Sequence, residues 1–317
     1  MIPLSIVIPT FNTAAMTLEC CHAAIASLPA GGEVIVVDDG STDGTSERLR
    51  DELPEVRIVR LKINRRFGAA ANAGVAASKR TIILLLNSDA LIDHVAVAAL
   101  LAAFEADERL GIAGARLMDA DRTPQWSGGP KPTLLWMAVM ASGIAGVLPR
   151  RKRAGVARDV AWVSGAAMAF RREVWSDAGP FNETYRFYAQ DLEFCIRARE
   201  HGWDVRVIED ARVTHGGGAT LRQSRDVAEL PHDPALLWLD LLSWGRVHYS
   251  RGWAISARLL MCGSVVLRIL VRSIRALFLR GEARLLSRST TAVYAAALRQ
   301  LVVEREKTAG QRIGRVA

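Results

Sequence analysis

Cysteine is scarce in this chain and follows no pattern. Cys20, Cys21, Cys195 and Cys262 form no C-x-x-C pair and no repeated spacing, which excludes a disulfide scaffold or a cysteine-rich zinc module and fits a reducing compartment. Aromatic residues make up only 6% of the 317. No recognised nucleic-acid motif or aromatic-basic platform accompanies the formal charge of +8, so a nucleic-acid partner is set aside. A leader pattern is missing too: Met1 runs into Leu4-Ser5-Ile6-Val7-Ile8 without a basic flank or small-residue cleavage site, and this reads as a first strand of a chain that folds in the cytoplasm. No internal repeat is present. Nor is there a clean spanning run, because Trp253 to Leu279 is interrupted by Arg258, Arg268, Arg272 and Arg275, whereas a membrane-crossing helix takes about 20 residues with few or no charges.

What is present is ample core material. Half of the residues are hydrophobic and 23% are charged, well outside the disordered class. The positive charge is concentrated: from Arg246 onward fourteen Lys and Arg face only Glu282, Glu304 and Glu306, a net of +11 against −3 for the rest. That imbalance points to an anionic surface at the tail rather than an acidic substrate in the core. The expected division is therefore an α/β domain over residues 1–233 and a helical, apolar-basic region over 234–317. For the latter, Trp238, Trp244, Trp253 and the stretch that follows either rest on anionic lipid at the cytoplasmic face of a membrane, or form a helical hairpin that packs on the first domain or makes a homodimer.

Over the first 120 residues, β-branched runs alternate with helical stretches. Leu4 to Ile8, Glu33 to Val37, Val56 to Leu61 and Thr81 to Leu86 are separated by segments long enough for crossover helices, the pattern of a mostly parallel, doubly wound sheet. In such sheets ligands bind beyond the carboxyl ends of the strands. Those ends read Pro9-Thr10-Phe11-Asn12, Asp38-Asp39-Gly40-Ser41-Thr42-Asp43-Gly44, Asn64-Arg65-Arg66-Phe67-Gly68 and Asn87-Ser88-Asp89. Farther on, Gln125-Trp126-Ser127-Gly128-Gly129-Pro130, followed by apolar residues and the basic run Arg150 to Arg153, reads as a mobile loop and an interfacial helix. A strand is expected from Val160 to Phe170 with Gly165 inside it, and a helix from about Asp191.

Each polar cluster has two readings. A carboxylate at Asp38 or Asp39 can accept the imide N–H of a uracil or thymine ring, while Ser41, Thr42 and Asp43 with Glu47 equally suit a helix cap. Asp89, delivered by a buried apolar strand, suits Mg²⁺ or Mn²⁺ completed by diphosphate oxygens, or closes the strand in an Asx turn. Asp191 at a helix start is a base kept ionised by the helix dipole, or an N-cap. His215, ahead of Gly216-Gly217-Gly218, is a metal or diphosphate ligand beside backbone N–H groups open to phosphate, or a plain polar residue.

Taken in order along the chain, these segments resemble glycosyltransferase family 2 of the GT-A fold, and within it bacterial rhamnosyltransferases. The likeness runs from Leu4 to about Thr220 and rests on Ser5-Ile6-Val7-Ile8-Pro9-Thr10-Phe11-Asn12, Val36-Val37-Asp38-Asp39-Gly40-Ser41-Thr42-Asp43, Asn64 to Gly74 and Leu86-Asn87-Ser88-Asp89, with Val163-Ser164-Gly165-Ala166, the Asp191 helix, Gly202-Trp203 and His215 farther on. The resemblance implies an inverting, Mn²⁺- or Mg²⁺-dependent transfer from a dTDP- or UDP-sugar to a glycan or lipid-linked acceptor, with dTDP-rhamnose favoured. Pro9, Thr10, Asn12, Asp39, Asn64, Asn72 and Ser88 would then hold the nucleotide, Asp89 and His215 the metal, and Gly165, Ala166 and Trp126 the acceptor side, with Asp191 as general base. Asn87 stands where the family's D-x-D begins and Gln190 where a glutamate usually precedes the base. These two departures are what supports an alternative, a catalytically impaired nucleotide-sugar or carbohydrate-binding protein of the same fold.

Overall fold

The computed structural model describes residues 2–142, 157–185, 189–216, 234–278 and 280–303. The basic run Arg150 to Arg153 and the glycines Gly217 and Gly218 lie outside the described residues. Two compact units are present. The first comprises Met1–Lys131, Lys152–Glu183 and Gln190–Asp226, and the second Pro132–Arg151, Thr184–Ala189 and Val227–Ala317. The second unit is thus not one continuous C-terminal stretch, since the segment around residues 132–151 joins it.

Four strands open the first unit: β1 (Leu4–Thr10), β2 (Glu33–Asp38), β3 (Arg57–Arg60) and β4 (Ile82–Leu86). They pair in parallel in the order β3-β2-β1-β4. Their crossovers carry α1 (Ala14–Ala26), α2 (Thr45–Glu52) and α3 (Arg66–Ala77). β1 and β4 are apolar on both faces because helices or other layers cover both, so Ile6, Val7, Ile8 and every residue from Ile82 to Leu86 are buried. Beyond β4 come β5 (Ala90–Leu91), α4 (His94–Ala106), β6 (Leu110–Met118), β7 (Gly128–Gly129), β8 (Arg158–Asp159), β9 (Trp162–Val163), β10 (Ala167–Arg171), α6 (Arg172–Ala178), α7 (Gln190–Glu200) and β11 (Asp204–His215). β10 inserts antiparallel between β4 and β6, and β11 runs parallel to β6. The result is a nine-stranded mixed sheet, with β7 and β9 forming a separate two-stranded one.

Two expectations are corrected. Residues 160–170 are not one strand: the chain turns at Ser164-Gly165-Ala166, so β9 joins the small sheet and β10 the large one. At this turn Gly165 lies close against Phe67, and a Cβ on it would stand 3.2 Å from Phe67 Cζ. Nor is Gln125 to Pro130 a loose loop. Pro124 bridges to Met118, and Gly128 and Gly129 pair with Val163 and Trp162.

The second unit holds α5 (Leu134–Ser142), α8 (Pro234–His248), α9 (Arg251–Phe278) and α10 (Gly281–Val303). α9 packs on α5, α8 and α10. By length and composition alone it is long and apolar enough to cross a membrane.

One close approach fixes how α3 seats on the sheet. A Cβ on Gly74 would lie 2.2 Å from Val7 Cγ1 and 2.9 Å from Val37 Cγ2, both on stiff β-branched side chains. Gly74→Ala is therefore expected to lower stability by about 1–3 kcal/mol through overpacking, measured by chemical denaturation; an unchanged midpoint would show that α3 is not held at this distance.

Candidate functional site

The carboxyl end of β2 begins the site. Asp38 is fully buried and occupied locally, accepting from Ser41 N (2.8 Å) and from the Ser46 hydroxyl. Asp39 is also buried, and its two carboxylate oxygens accept the backbone N–H groups of Arg65 and Arg66 at 2.8 and 2.7 Å. Burial pushes the Asp39 carboxyl above its ordinary value, against the lowering effect of those two N–H groups. Two donors leave lone pairs on the carboxylate. Arg66 adopts φ +73°, a left-handed conformation unusual for a long side chain, and this turns its N–H toward Asp39.

Asn12, also left-handed at φ +52°, locks the end of β1 to the loop after β2. Its N–H donates to Ser41 Oγ (2.9 Å) and its Oδ1 accepts from Thr42 N (2.8 Å). Of the two readings of this loop, capping is real but reaches across elements. Asp43 accepts from Ala14 N at the start of α1 and from Thr45 N at the start of α2, whereas Glu47 makes no capping box and instead pairs with Arg60 at 2.6 Å.

Several other candidates sit beneath or beside this surface. Thr10 and Ser88 turn their hydroxyls into a buried cluster: Thr10 meets Thr13 (2.8 Å) and Thr17 (2.7 Å), and Thr13 meets Ser88 (3.1 Å). Asn72 clamps the segment before α7. Its amide exchanges two bonds with the backbone of Phe181, at 2.9 and 3.0 Å, and donates to Glu183 Oε1. Asn64 is exposed and accepts from Arg66 N. Pro9 is half-buried near the end of β1 opposite Val37, beyond the stretch of β1 that pairs with β4.

Asp89 and His215, 126 positions apart, come together because β11 ends antiparallel to β5, with His215 opposite Ala90. His215 Nε2 stands 3.3 Å from Asp89 Oδ1 and 3.3 Å from Asn87 Nδ2. The opposite ring nitrogen, Nδ1, lies 2.8 Å from Gln125 Oε1. The Gln125 amide is oriented by its other partners, since Nε2 donates to the His215 carbonyl and to Asp119 Oδ1. Its oxygen must therefore face the ring, Nδ1 carries the proton, and in the neutral imidazole the Nε2 lone pair faces Asp89 and Asn87. Sequence reasoning missed Gln125. No motif marks it; the Met118–Pro124 bridge, the bond from Gln125 N to Leu117 O and the pairing of Thr214 with Met118 bring it to His215.

Asp191 lies in the first turn of α7, partly buried. Its Oδ1 accepts from Leu192 N (2.7 Å) and its Oδ2 from Gly165 N (3.0 Å). Burial raises its pKa to about 6, with those N–H groups pulling the other way. The Gly165 turn links this carboxylate to Asp89 and His215: Ala166 O accepts from Asn87 N, and Ser164 N donates to Ser127 O. Trp126, 40% exposed, stands between Gln125 and Ser127 with its ring edge-on to Trp162 at 5.4 Å.

Among the described residues no group of three or more His, Cys, Asp and Glu forms a closed metal cage. One carboxylate and one imidazole lone pair still fit a divalent ion of the Mn²⁺ or Mg²⁺ type, which takes few protein ligands and completes its shell with phosphate and water. A separate cavity of about 330 Å³, lined by Gly129, Pro130, Arg158, Asp159, Val160, Ala161 and Arg199, includes none of these residues.

Comparison with known proteins identifies the family and the fold. The chain is 26% identical over 263 residues to N-acetylglucosaminyl-diphospho-decaprenol L-rhamnosyltransferase of Mycobacterium tuberculosis, covering 76% of this chain and 83% of that protein. Its fold is similar to a mannosyltransferase from Pyrobaculum calidifontis solved with GDP-Man and Mn²⁺ (TM-score 0.57, 16% identity, 96% of this chain and 88% of that one). A similar likeness is found to GalNAc-T7 solved with UDP, GalNAc and Mn²⁺ (TM-score 0.58, 13% identity, 96% and 56%). The architecture is thus GT-A. The family model described as Glycosyl transferase family 2 matches residues 5–177, more than half of the sequence, and the chain belongs to that family.

Proposed function

We propose that this protein is an inverting glycosyltransferase that moves a sugar, with L-rhamnose from dTDP-rhamnose the best match, from a nucleotide diphosphate to a hydroxyl of a lipid-linked or polysaccharide acceptor in cell-envelope glycan synthesis. The observation that carries the reading is Asp191: a carboxylate with its pKa pushed to about 6, hydrogen-bonded through the Gly165 turn to the strand end that presents Asp89 and His215. The relative from Mycobacterium tuberculosis supports the choice of sugar and of a lipid-linked acceptor. A cytoplasmic location at the periphery of the inner membrane follows from an acceptor of that kind.

In this reading Asp39, Asn12 and Asn64 border the nucleotide base and ribose. Pro9, Thr10, Asn72 and Ser88 keep that rim in place from below or behind. Asp89 and His215 Nε2 would hold Mn²⁺ or Mg²⁺, the Asn87 amide giving up the Nε2 lone pair to it, and the ion would offset the negative charge of the diphosphate. Gly165, Ala166 and Trp126 line the acceptor side. Asp191 takes the proton of the acceptor hydroxyl as its oxygen bonds to the anomeric carbon from the face opposite the diphosphate. The bond from that carbon to the diphosphate oxygen breaks, and the nucleoside diphosphate leaves. A carboxylate with pKa near 6 is a stronger base than an ordinary one and is still ionised at neutral pH, which suits it to this step.

Asp191→Asn is expected to cut turnover by about 10²–10⁴ while donor affinity stays within a few-fold; near-normal turnover would remove Asp191 from the role. In the parent, Asp191 must be ionised to act, so kcat should climb through pH 5–7 with its acid limb near 6. An acid limb near 4 would mean that the base is another group. Gln125→Leu removes the acceptor that fixes His215, and Mn²⁺ affinity measured by titration calorimetry should fall about 10–100-fold with metal-free nucleotide binding retained. Unchanged Mn²⁺ affinity would show that His215 is not a ligand.

A further inference from the structure

The long helix of the second unit is apolar outward as well as inward, where Trp253, Ala254, Ala257, Met261, Val265 and Ala276 are buried. A helix of a water-soluble protein turns its apolar stripe inward and its charges outward. In α9 the outward residues are Ile255, Leu259, Leu260, Val266, Leu267, Leu270, Val271, Ile274, Leu277 and Phe278, from 38% to 84% exposed. At 3.6 residues per turn they fall within an arc of about 160°. Arg258, Arg268 and Arg272 occupy the opposite side of the wheel. These three make contacts within the unit: Arg258 donates to Leu301 O (3.0 Å), Arg268 to Ala141 O (3.2 Å) and Ser264 Oγ (3.3 Å), and the guanidinium groups of Arg268 and Arg272 lie over the Tyr294 ring at 6.0 and 5.7 Å. The arginines that interrupt the apolar run in sequence thus leave the outer arc uninterrupted except by Gly252, Ser256, Gly263 and Ser273, with the exposed Arg275 at its border.

We infer that the outer face of α9 lies in the acyl-chain region of one leaflet of an anionic bilayer, with the helix parallel to the membrane plane. This rests on the proposed membrane location and assigns the element, the face and the orientation. An apolar face this broad, contiguous and exposed marks a contact site rather than a solvated surface. Charge complementarity selects the occupant. The tail from Arg246 onward carries +11, so anionic headgroups are attracted to its flanks, whereas a second copy would bring a like charge against it. The in-plane orientation follows from the inner face, which packs along α5, α8 and α10. Crossing the bilayer would carry α10 with it, and that helix bears Glu282, Arg284, Arg288 and Arg299, a charge content costly at membrane depth.

The test uses the full-length chain with vesicles of phosphatidylethanolamine and phosphatidylglycerol, floated on a density gradient at ~0.1 M and ~1 M NaCl. Acyl-chain burial is insensitive to screening, so the parent should float at both salts, while the Leu267→Glu, Leu270→Glu, Ile274→Glu variant should lose flotation more than tenfold with donor hydrolysis in detergent unchanged. Should that variant fail to fold, a fluorophore attached through Leu270→Cys is to be quenched by brominated lipid, and one attached through Arg268→Cys is not. Parent flotation abolished at ~1 M NaCl would overturn acyl-chain burial while leaving a peripheral, charge-held membrane location intact. Absence of flotation at both salts, with a dimer in light scattering that the triple variant dissociates, would assign the face to a second copy. Either result leaves the transferase reading untouched, because donor hydrolysis is read separately.

Discussion

A closed circuit of hydrogen bonds around the Gly165 turn holds the candidate site in one piece. Asp191 accepts from Gly165 N, and Ala166 O receives Asn87 N. Asn87 reaches His215, which is held by Gln125, and two residues beyond Gln125 the carbonyl of Ser127 takes Ser164 N. Every link but the two to the imidazole ring uses a backbone group, so the circuit is set by strand positions rather than by rotamers alone. It forms only because β10 runs antiparallel between β4 and β6, which returns the chain to the carboxyl end of β4 at Asn87. Without that reversal Asp191 and Asp89 would belong to different edges of the sheet.

Electrostatics follow from the same placement. Asp39 is buried and Asp191 partly so, and burial raises both carboxyls despite two accepted backbone N–H groups each. Peptide dipoles partly replace lost water and keep the groups ionisable near neutrality. The two sit on separate elements, Asp39 at the end of β2 and Asp191 on α7.

The parallel half of the sheet was legible because its strands are continuous apolar runs ended by polar clusters, and β1 to β4 lie where those runs are. The Gly165 turn was not legible, since Val160 to Phe170 has strand composition on both sides of a single glycine. The partners of the polar motif residues were not legible either: the Thr10 hydroxyl meets Thr13 and Thr17, that of Ser88 meets Thr13, and the Asn72 amide meets Phe181. Gln125 was invisible because its role depends on a contact across 90 positions with no local pattern. In the second unit the apolar and basic residues of α9 were legible but not their sides, which the packing partners Leu301, Ala141 and Tyr294 decide.

The central claim is that Asp89 and His215 face one ligand on the same rim as Asp191. Anomalous diffraction from crystals grown with Mn²⁺ and a uridine or thymidine diphosphate tests it most directly. The account requires a single manganese peak shared by an Asp89 carboxylate oxygen and His215 Nε2, with the diphosphate lying between that peak and the Asp191 carboxylate. A manganese peak bound elsewhere, or a nucleotide seated in the Arg158–Arg199 cavity with Asp89 and His215 bare, would contradict it.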